Sequence, residues 1–585
     1  MVCAMRWTRC CATSDKRVNP RKVFLYFLLL VLLAGCDGPA APATPLPAGL
    51  HTPTPSVIQD SGTLSRAISE NPDIFNPILS TNRAGADVNN VIFPVLVGRN
   101  PFTGQDSANN AMAERWEVSA DGLTYTFALR PNVTWSDGDP VDAADFKFTY
   151  DAMASQQVDS PHKAVLENVA GIVVVDPLTV RVTFKQARCD TLAALRIGWL
   201  PSHLYEADFT DIMENLLNSN PSVSAGPFIF QSWAPGENVA MRRNETYWQG
   251  APSVERLFFQ IVPDPADRLA RLLAGDLDTT SLAADQLTSV QGSPNLTVYG
   301  ANIDGYDFIA LNLANPENPQ PGLDAAGNRV AQEPHPILGD LTVRQAIVRA
   351  IDYKTIIESI YLNRGYQIAS NVLPVAPWAH DATIEPYTYD PIAARKLLEE
   401  ASWLDSNSDG IREKETESLS LTLLVTEGNK VYEQIADLAQ DQLNSVGFDI
   451  TVTPVSSGVL VERLLGQRYD MAVTGWTGVG ADPNDDVFWA TQHDRPGSGF
   501  NFVSYQNAEV DRLLQQGVTA PGCKPEDRAP IYKQIQRIIH DDLPYIFISG
   551  EVTDIGYNNR WAGIQPAGWD FYWNIHQWYN SATQP

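Results

Sequence analysis

Residues that could carry out catalysis are sparse in this 585-residue sequence. It has eight histidines, and no two lie three or four residues apart, so the helical pairing used by many zinc sites is missing. Neither a G-x-S-x-G nucleophile elbow nor a G-x-x-x-x-G-K-[ST] phosphate loop is present. A Ser-His-Asp triad assembled from distant segments stays open, because its order along a chain is not fixed. The sequence therefore disfavours an enzyme, and no cofactor is predicted.

Two further patterns match ligand sites only in part. Residues 475–480 place three glycines in the order G-x-x-G-x-G, which is not the dinucleotide fingerprint. Residues 405–410 match the first half of a calcium-binding EF-hand loop, but Thr416 stands at position twelve, where the loop needs a bidentate Glu. We predict a turn rich in Asp and Asn there, and no metal site.

One cysteine near the N-terminus indicates a different chemistry. The apolar run Val23–Leu33 has eleven residues, well short of the roughly 18 that a membrane-spanning helix needs. Basic residues precede it and Ala34 and Gly35 follow it, which predicts a secretory signal peptide over residues 1–35. Leu33-Ala34-Gly35-Cys36 is similar to a bacterial lipobox, so Cys36 is the predicted lipidation site and the mature N-terminus. Two acyl chains would anchor the protein to the outer face of the cytoplasmic membrane without crossing it.

Composition separates a stalk from a globular body. Residues 36–61 hold the lipidated cysteine and a stretch rich in Pro, Ala and Thr, which predicts a semi-rigid stalk. The roughly 520 residues that follow exceed one ordinary hydrophobic core, so we expect a multi-lobed body.

Charge and cysteine content limit the partners. Removing residues 1–35 takes away six basic residues and one acidic residue, which leaves 35 Lys and Arg against 68 Asp and Glu, a net charge of −33. Such a surface repels nucleic acid, so no nucleic-acid partner is expected. Of six cysteines, only Cys189 and Cys523 lie beyond the stalk, which allows one disulfide.

Alternating strands and helices must position any site. Residues 257–262 form an apolar run, Pro263-Asp264-Pro265 begins a helix, and Gly275 is placed to end it. Residues 431–455 show a similar pattern, which predicts a helix followed by a strand. Two more helices are predicted over 343–351 and 391–401. Residues 122–141 alternate as a strand and end in a turn, which predicts a hairpin. We therefore predict an α/β fold with mixed sheets.

Long blocks of the sequence resemble one family. "AERWEVSADGLTYTFALRPNVTWSDGDPVDAADFKFTYDAM" (113–153) is similar to the signature region of the bacterial extracellular solute-binding proteins of family 5, the dipeptide- and oligopeptide-binding components of ABC importers. Similar blocks follow in the family's order, among them "GPFIFQSWAPGENVAMRRNETYW" (226–248), "VRQAIVRAIDYKTIIESIY" (343–361), "YDMAVTGW" (469–476) and "RAPIYKQIQRIIHDDLPYI" (528–546).

The resemblance implies a two-lobed periplasmic-binding-protein-like fold with a hinge and a ligand cleft between the lobes. Lobe I is expected to comprise residues 62–306 plus 547–585, and lobe II residues 307–546. The implied function is capture of di- or oligopeptides outside the cytoplasmic membrane and delivery to the ABC permease subunits by lobe closure. The expected protein is a monomer.

The loop 475–492 is most similar to that of periplasmic dipeptide-binding proteins. In that group the tryptophan and the aspartate of the Asp-Pro step line the pocket, and the aspartate receives the peptide's α-amino group; the matching residues are Trp476 and Asp482. Asn501, Phe502 and Tyr505 follow and are predicted to reach the cleft. The alternatives stay open, since an Asp before Pro often only begins a turn and aromatic residues commonly pack in a core.

The same loop departs from the family's pattern. Val479 and Gly480 stand where acidic and amide residues are often found, so we expect broad peptide selectivity in place of strict dipeptide selectivity. Relatives that bind nickel chelates, haem, oligosaccharides or opines resemble the sequence equally well. A lipid-anchored hydrolase or a surface chaperone is the alternative from outside the family. No residue that would pair with a peptide carboxylate can be assigned from the sequence.

Overall fold

A computed structural model describes residues 62–582. These residues belong to one compact unit. No helix within 62–582 has the length and apolar character to cross a membrane. The predicted signal peptide, Cys36 and the stalk lie outside the described residues.

The strands in the N-terminal half are β1 (Thr63–Ile68), β2 (Gly98–Arg99), β3 (Asp106–Ser107), β4 (Ala113–Val118), β5 (Thr124–Leu129), β6 (Val169–Asp176), β7 (Thr179–Phe184), β8 (Phe228–Ala234), β9 (Asn238–Arg243), β10 (Arg256–Ile261) and β11 (Thr279–Leu282). The later strands are β12 (Leu296–Leu311), β13 (Gly365–Tyr366), β14 (Glu413–Lys414), β15 (Glu417–Ser418), β16 (Ser420–Thr426), β17 (Asp449–Val455), β18 (Met471–Thr477), β19 (Tyr545–Asn558), β20 (Trp561–Ala562) and β21 (Tyr579–Asn580). The α-helices are α1 (Arg83–Asn89), α2 (Ala143–Ala154), α3 (Pro265–Ala274), α4 (Leu287–Val290), α5 (Leu341–Ala350), α6 (Tyr353–Thr355), α7 (Pro391–Glu400), α8 (Lys430–Ser445), α9 (Ser457–Leu465), α10 (Asp486–Trp489), α11 (Ala508–Val518) and α12 (Pro525–Asp542).

An 11-stranded sheet runs through the protein in the order β17-β16-β18-β12-β19-β11-β1-β10-β9-β8, with β13 paired to β19. β1 is parallel to β10 and β11, and β16 is parallel to β17 and β18, whereas β12 and β19 are antiparallel. The predicted α/β fold with mixed sheets is confirmed.

The long strands β12 and β19 connect the two halves of this sheet. Ile309, Leu311, Ile546 and Ile548 belong to one apolar cluster, and the alternating residues, such as Phe308 and Phe547, belong to another. Successive side chains in a strand point to opposite faces, so these two clusters cover the two sides of the sheet.

A further apolar cluster comes from residues 64–261 together with 555–578, whereas the two clusters along β12 and β19 come from residues 306–548. The first cluster thus comes from one stretch of the chain plus a returning C-terminal segment, and the other two come from the stretch between them. The predicted lobe boundaries stay a prediction.

The two predicted strand-helix-strand units form. Asp264 accepts hydrogen bonds from the backbone amides of Ala266 and Asp267 to begin α3, and Gly275 ends it with φ 83°, a left-handed conformation that glycine adopts without strain. In the second unit, α8 connects the parallel strands β16 and β17. The predicted helices at 343–351 and 391–401 correspond to α5 and α7.

The predicted hairpin at 122–141 is wrong. Tyr125, Phe127 and Leu129 of β5 are buried, as their alternation indicates, but β5 pairs with β4 and β7 in a separate four-stranded sheet, β4-β5-β7-β6. The turn after it closes only one bridge, between Thr134 and Pro140. β5 instead forms a hairpin with β4, which lies just before it in sequence, and its other edge pairs with the more distant β7.

Candidate functional site

The described residues enclose a cavity of about 710 Å³. Most of its wall comes from residues 83–112, 299–304 and 567–576, and Gly478 contributes from the loop that follows β18. The volume is in the range that holds small organic ligands, roughly 300–1,000 Å³. Aromatic rings and charged groups share the wall, so the cavity can bind a ligand that is both polar and partly apolar.

Two arginines in the wall are neutralised by protein carboxylates. Arg66 donates to Asp87 at 2.6 Å, and its guanidinium lies 3.7 Å from the centre of the Tyr572 ring. Arg196 forms an ion pair with Asp106. Because each guanidinium is already paired with a carboxylate, neither is expected to bind an anionic group of a ligand strongly.

Arg99 differs from them. The ladder between β2 and β3 places it opposite Asp106, yet among the described residues no carboxylate lies within ion-pairing distance of its guanidinium. Its guanidinium carbon lies 4.9 Å from the centre of the Trp569 ring. Burial, with the neighbouring charge of Arg196, lowers the pKa of Arg99. Arg99 therefore forms no close ion pair within the described residues, although the charges of Asp304, Asp106 and Asp570 attract it from further away.

Asp304 is the corresponding anion. This residue of β12 lines the cavity and accepts a hydrogen bond from the backbone amide of Gly480 at 3.2 Å. Within residues 62–582, no cation lies within ion-pairing distance of its carboxylate. Burial, with the charges of Asp307 and Asp304, raises the pKa of the nearby Glu551 to about 7. Asp304 thus lies between a group of carboxylates on one side and the opposite charge of Arg99, which attracts it.

Gly104 permits the closure of the cavity wall near Trp569. It has φ 71°, and a Cβ atom there would lie 2.4 Å from the Trp569 ring and 2.5 Å from the Cβ atom of Ala481. Trp569 also donates from Nε1 to the carbonyl of Val375 at 3.2 Å. The tryptophan is thereby held between segments far apart in sequence.

Trp476 lies on β18 opposite Tyr306 of β12. Its indole stacks on Phe488 with ring centroids 4.3 Å apart, and Nε1 donates to the Tyr545 hydroxyl at 3.3 Å. The side chain is half-buried in an aromatic cluster and is not part of the cavity wall.

Asp482 is held by an arginine that the sequence analysis did not identify. Arg528 of α12 donates from Nη1 and Nη2 to the two carboxylate oxygens of Asp482, both at 2.7 Å. Burial alone would favour neutral Arg528, but the hydrogen bonds and charge of Asp482 outweigh it and raise the pKa of Arg528. Both oxygens of the predicted ammonium acceptor are already engaged.

Asn501, Phe502 and Tyr505 are buried, with exposed fractions of 0%, 2% and 3%. Asn501 closes a turn with the backbone of Tyr505, and the Tyr505 hydroxyl donates to Asp542 at 2.6 Å. None of the three lines the cavity. The geometry gives them a packing role and does not support the predicted direct contact with a ligand.

Cys189 and Cys523 form a disulfide with their Cα atoms 5.1 Å apart. Cys189 follows β7, and Cys523 lies between α11 and α12. The amide of Cys189 also donates to the carbonyl of Val518 at 2.7 Å. The bond therefore ties the region of the four-stranded sheet to the C-terminal helices.

The Asp-rich segment at 405–413 folds as an exposed turn. The carboxylate of Asp405 accepts from the amides of Asp409 and Gly410, which is the local bonding of a turn. Oxygens of Asp405, Asp409 and Glu413 lie within 4.8 Å of one another. Exposed carboxylates are commonly grouped in this way by turn geometry, and nothing further marks the segment as a metal site.

Comparisons with known proteins place this geometry in context. The family model described as "Bacterial extracellular solute-binding proteins, family 5 Middle" matches residues 108–498. The oligopeptide-binding protein AppA of Bacillus subtilis is 25% identical over 564 residues, which cover 94% of this chain and 97% of AppA.

Solved structures agree with the fold. AppA of Bacillus subtilis in complex with a nonapeptide matches with a TM-score of 0.67 and 24% identity, over 89% of this chain and 99% of that one. NikZ of Campylobacter jejuni in complex with Ni(L-His) matches with a TM-score of 0.69 and 25% identity, over 89% and 100%. The fold is thus shared by proteins whose bound ligands differ in chemistry.

Proposed function

Because the chain belongs to the bacterial extracellular solute-binding proteins of family 5, we propose that it captures di- or oligopeptides outside the cytoplasmic membrane and delivers them to the permease of an ABC importer. The cavity of about 710 Å³ carries this proposal, because its wall combines aromatic surface with charges of both signs. A peptide offers matching apolar side chains, an ammonium and a carboxylate. Family membership and the similarity to AppA add support.

The proposed delivery depends on lobe closure. Lobe I, residues 62–306 plus 547–585, and lobe II, residues 307–546, would close around the solute and present a closed face to the permease. The strands β12 and β19 run between the two proposed lobes, so small changes along them could supply the hinge. Binding without chemical conversion is part of the proposal, and the protein would act as a monomer.

The proposed location is the outer face of the cytoplasmic membrane. Removal of residues 1–35 and diacylation of Cys36 would leave the body on a short stalk within reach of its permease. Mass spectrometry of the membrane-extracted protein tests this, with Cys36→Ala as the control. A diacylated N-terminal cysteine is expected, and an unmodified N-terminus would contradict the anchor.

Trp476 and Asp482 keep a proposed role in ligand binding that follows from the family resemblance. Asp482 is 28% exposed in its side chain, so a ligand could approach it, but an arriving ammonium would have to share oxygens with Arg528. We therefore expect Asp482 to act mainly by holding the loop in place.

A melting-temperature screen of the mature protein tests the proposed ligand class. Alanine peptides of two to nine residues, a nickel-histidine chelate, haem and a maltooligosaccharide would each be added at the same concentration. A ligand that binds only the folded state at 100 times its Kd stabilises by about 2.7 kcal/mol, so peptides are expected to raise the Tm. A rise with the chelate, haem or sugar and none with any peptide would contradict peptide capture.

A further inference from the structure

One part of the cavity wall is apolar, and we call it the apolar corner. It consists of the cavity-lining residues of segments 93–97, 111–112, 225–227, 247–248 and 575–576. Backbone hydrogen bonds hold several of these segments together: the amide of Met112 donates to the carbonyl of Val95, and the amide of Gly226 to that of Ile92, both at 2.8 Å. A group that binds in this corner is therefore surrounded mainly by aliphatic and aromatic side chains.

The polar side chains next to the apolar corner form a chain of hydrogen bonds. The Tyr247 hydroxyl donates to Gln249 at 2.9 Å, and the amide nitrogen of Gln249 donates to the side-chain oxygen of Asn110 at 3.0 Å. Asn110 in turn donates to the backbone carbonyl of Trp573 at 3.0 Å. These groups satisfy one another and have less need of a partner from a ligand.

His576 differs from them. Its side chain lines the cavity, the residue is 8% exposed, and its ring lies edge to face with Tyr247 at a centroid distance of 5.5 Å. Within residues 62–582, neither ring nitrogen of His576 forms a hydrogen bond or an ion pair. Burial lowers the pKa of His576 to about 4, so the ring is neutral near pH 7 and offers one N–H donor and one acceptor nitrogen.

Trp248 gives the apolar corner a fixed aromatic surface. The guanidinium carbon of Arg130 lies 4.5 Å from the centre of the Trp248 ring, and Arg130 donates to the carbonyls of Ala108 and Ala111. Arg130 itself does not line the cavity, and no residue of the apolar corner is an acid, a lysine or an arginine. A charged ligand group would lose its hydration there without gaining an ion pair, so the corner favours a neutral group.

Building on the proposed function, we infer that the apolar corner binds a peptide side chain with an aromatic ring and one hydrogen-bonding group, a phenol or an indole, and that His576 recognises this group. The ring would pack on the aromatic wall, and its O–H or N–H would pair with the neutral imidazole. A phenyl ring would fill the same space but leave the imidazole unpaired, which is unfavourable for a buried polar group. His576 is thus a specificity-determining residue outside the loop that carries the family resemblance.

Calorimetric titration with matched peptides tests the inference. Alanine peptides of two to nine residues would carry one Tyr or one Phe at each position in turn, so that every pair differs by a single hydroxyl group. His576→Phe keeps an aromatic ring and removes both nitrogens, whereas His576→Gln restores a donor and an acceptor. His203→Phe is the matched control, because it makes the same change at a histidine that does not line the cavity.

For the unmodified protein, we expect the Tyr peptide to bind at least about tenfold more tightly than its Phe partner at one position, since only the phenol pairs with His576. His576→Phe should bring this ratio to about one and keep the affinity for the Phe peptide. His576→Gln should retain part of the preference for Tyr. His203→Phe should show the same ratio as the unmodified protein.

The possible failures are distinct. If no peptide of the set binds the unmodified protein, the proposed function is contradicted and the inference with it. If peptides bind but Tyr and Phe are equivalent at every position, or if His576→Phe keeps the preference for Tyr, the inference alone is overturned. Melting curves of the variants distinguish lost affinity from lost folding.

Discussion

Asp482 and Arg528 show how a single pair can stabilise a loop beside a cavity. Arg528 is 4% exposed in its side chain and also donates to the Tyr532 hydroxyl and the Gly517 carbonyl. Because several hydrogen bonds hold the guanidinium in one position, it also fixes the position of its carboxylate partner. The loop after β18, which brings Gly478 to the cavity, is held in part by this pair.

Asp482→Ala is expected to lower the free energy of unfolding by about 1–3 kcal/mol, because it leaves a buried guanidinium unpaired; the figure is reduced from that of a fully buried pair, since Asp482 is partly exposed. Urea denaturation measures it. The double variant Asp482→Ala, Arg528→Leu should recover part of the loss, because no unpaired charge remains. A single variant as stable as the unmodified protein would show that the pair contributes nothing.

Asp485 offers a pH-dependent test. It is 3% exposed, and burial raises its pKa to about 8, although Asn371 donates to its carboxylate at 3.0 Å. An unfolded Asp titrates near pH 3.9, so between about pH 4 and pH 8 the folded protein keeps a proton that the unfolded chain has lost. The stability from this group is complete below about pH 4 and is lost as the pH rises through about 8.

Asp485→Asn should therefore become more stable relative to the unmodified protein as the pH rises, by at least about 1 kcal/mol at pH 9. Urea midpoints between pH 5 and pH 9 measure the difference. Asp437→Asn, on the exposed face of α8, is the control and should show no such trend. A difference that stays constant over this range would contradict the assigned pKa.

Residue-level prediction from the sequence rested on one loop. Trp476 and Asp482 were predicted because that loop resembles a known one, but neither lines the cavity, and their role in ligand binding stays a prediction. Arg528 could not be assigned, because its partner lies 46 residues away in sequence. Arg99 and Asp304 gave no signal at all, since segments far apart in sequence bring them into the cavity wall.

At the element scale, local capping signals were the most reliable. Asp264-Pro265 and Gly275 fixed the ends of α3, and Asp390-Pro391 fixed the start of α7, because each satisfies backbone groups within a few residues. Strand pairing was harder to predict. β5 pairs with β4, just before it in sequence, and with the more distant β7, and no signal within residues 122–141 identifies either partner.

Asp264→Ala is expected to lower the free energy of unfolding by about 1 kcal/mol, because the amides of Ala266 and Asp267 lose their acceptor at the start of α3. Thermal or urea denaturation gives the value. Asp437→Ala is the matched control, because it makes the same change within a helix, away from a cap, and should not destabilise. Equal effects of the two substitutions would contradict the capping role.

At the scale of the whole molecule, the disulfide joins residues 334 positions apart. Cys189 falls in the proposed lobe I and Cys523 in the proposed lobe II, so the bond would restrain their separation. The long loop that it closes also restricts the unfolded chain. Sequence analysis allowed this bond by elimination, but only the fold shows which surfaces it connects.

Replacement of both cysteines by serine should lower the free energy of unfolding by about 2–5 kcal/mol. Under the proposed lobe closure, the same variant should also release ligand faster, which stopped-flow fluorescence can follow. Reduction of the unmodified protein should reproduce both effects, and it serves as the control. Unchanged stability on reduction would show that the bond does not constrain the fold.

We propose that this protein binds peptides reversibly and does not convert them. Calorimetric titration of the mature protein with an alanine peptide, followed by mass spectrometry of the recovered peptide, tests it most directly. We predict saturable binding of one peptide per protein, with the peptide recovered intact. Cleaved or modified peptide, or the absence of binding by every peptide length, would contradict the account.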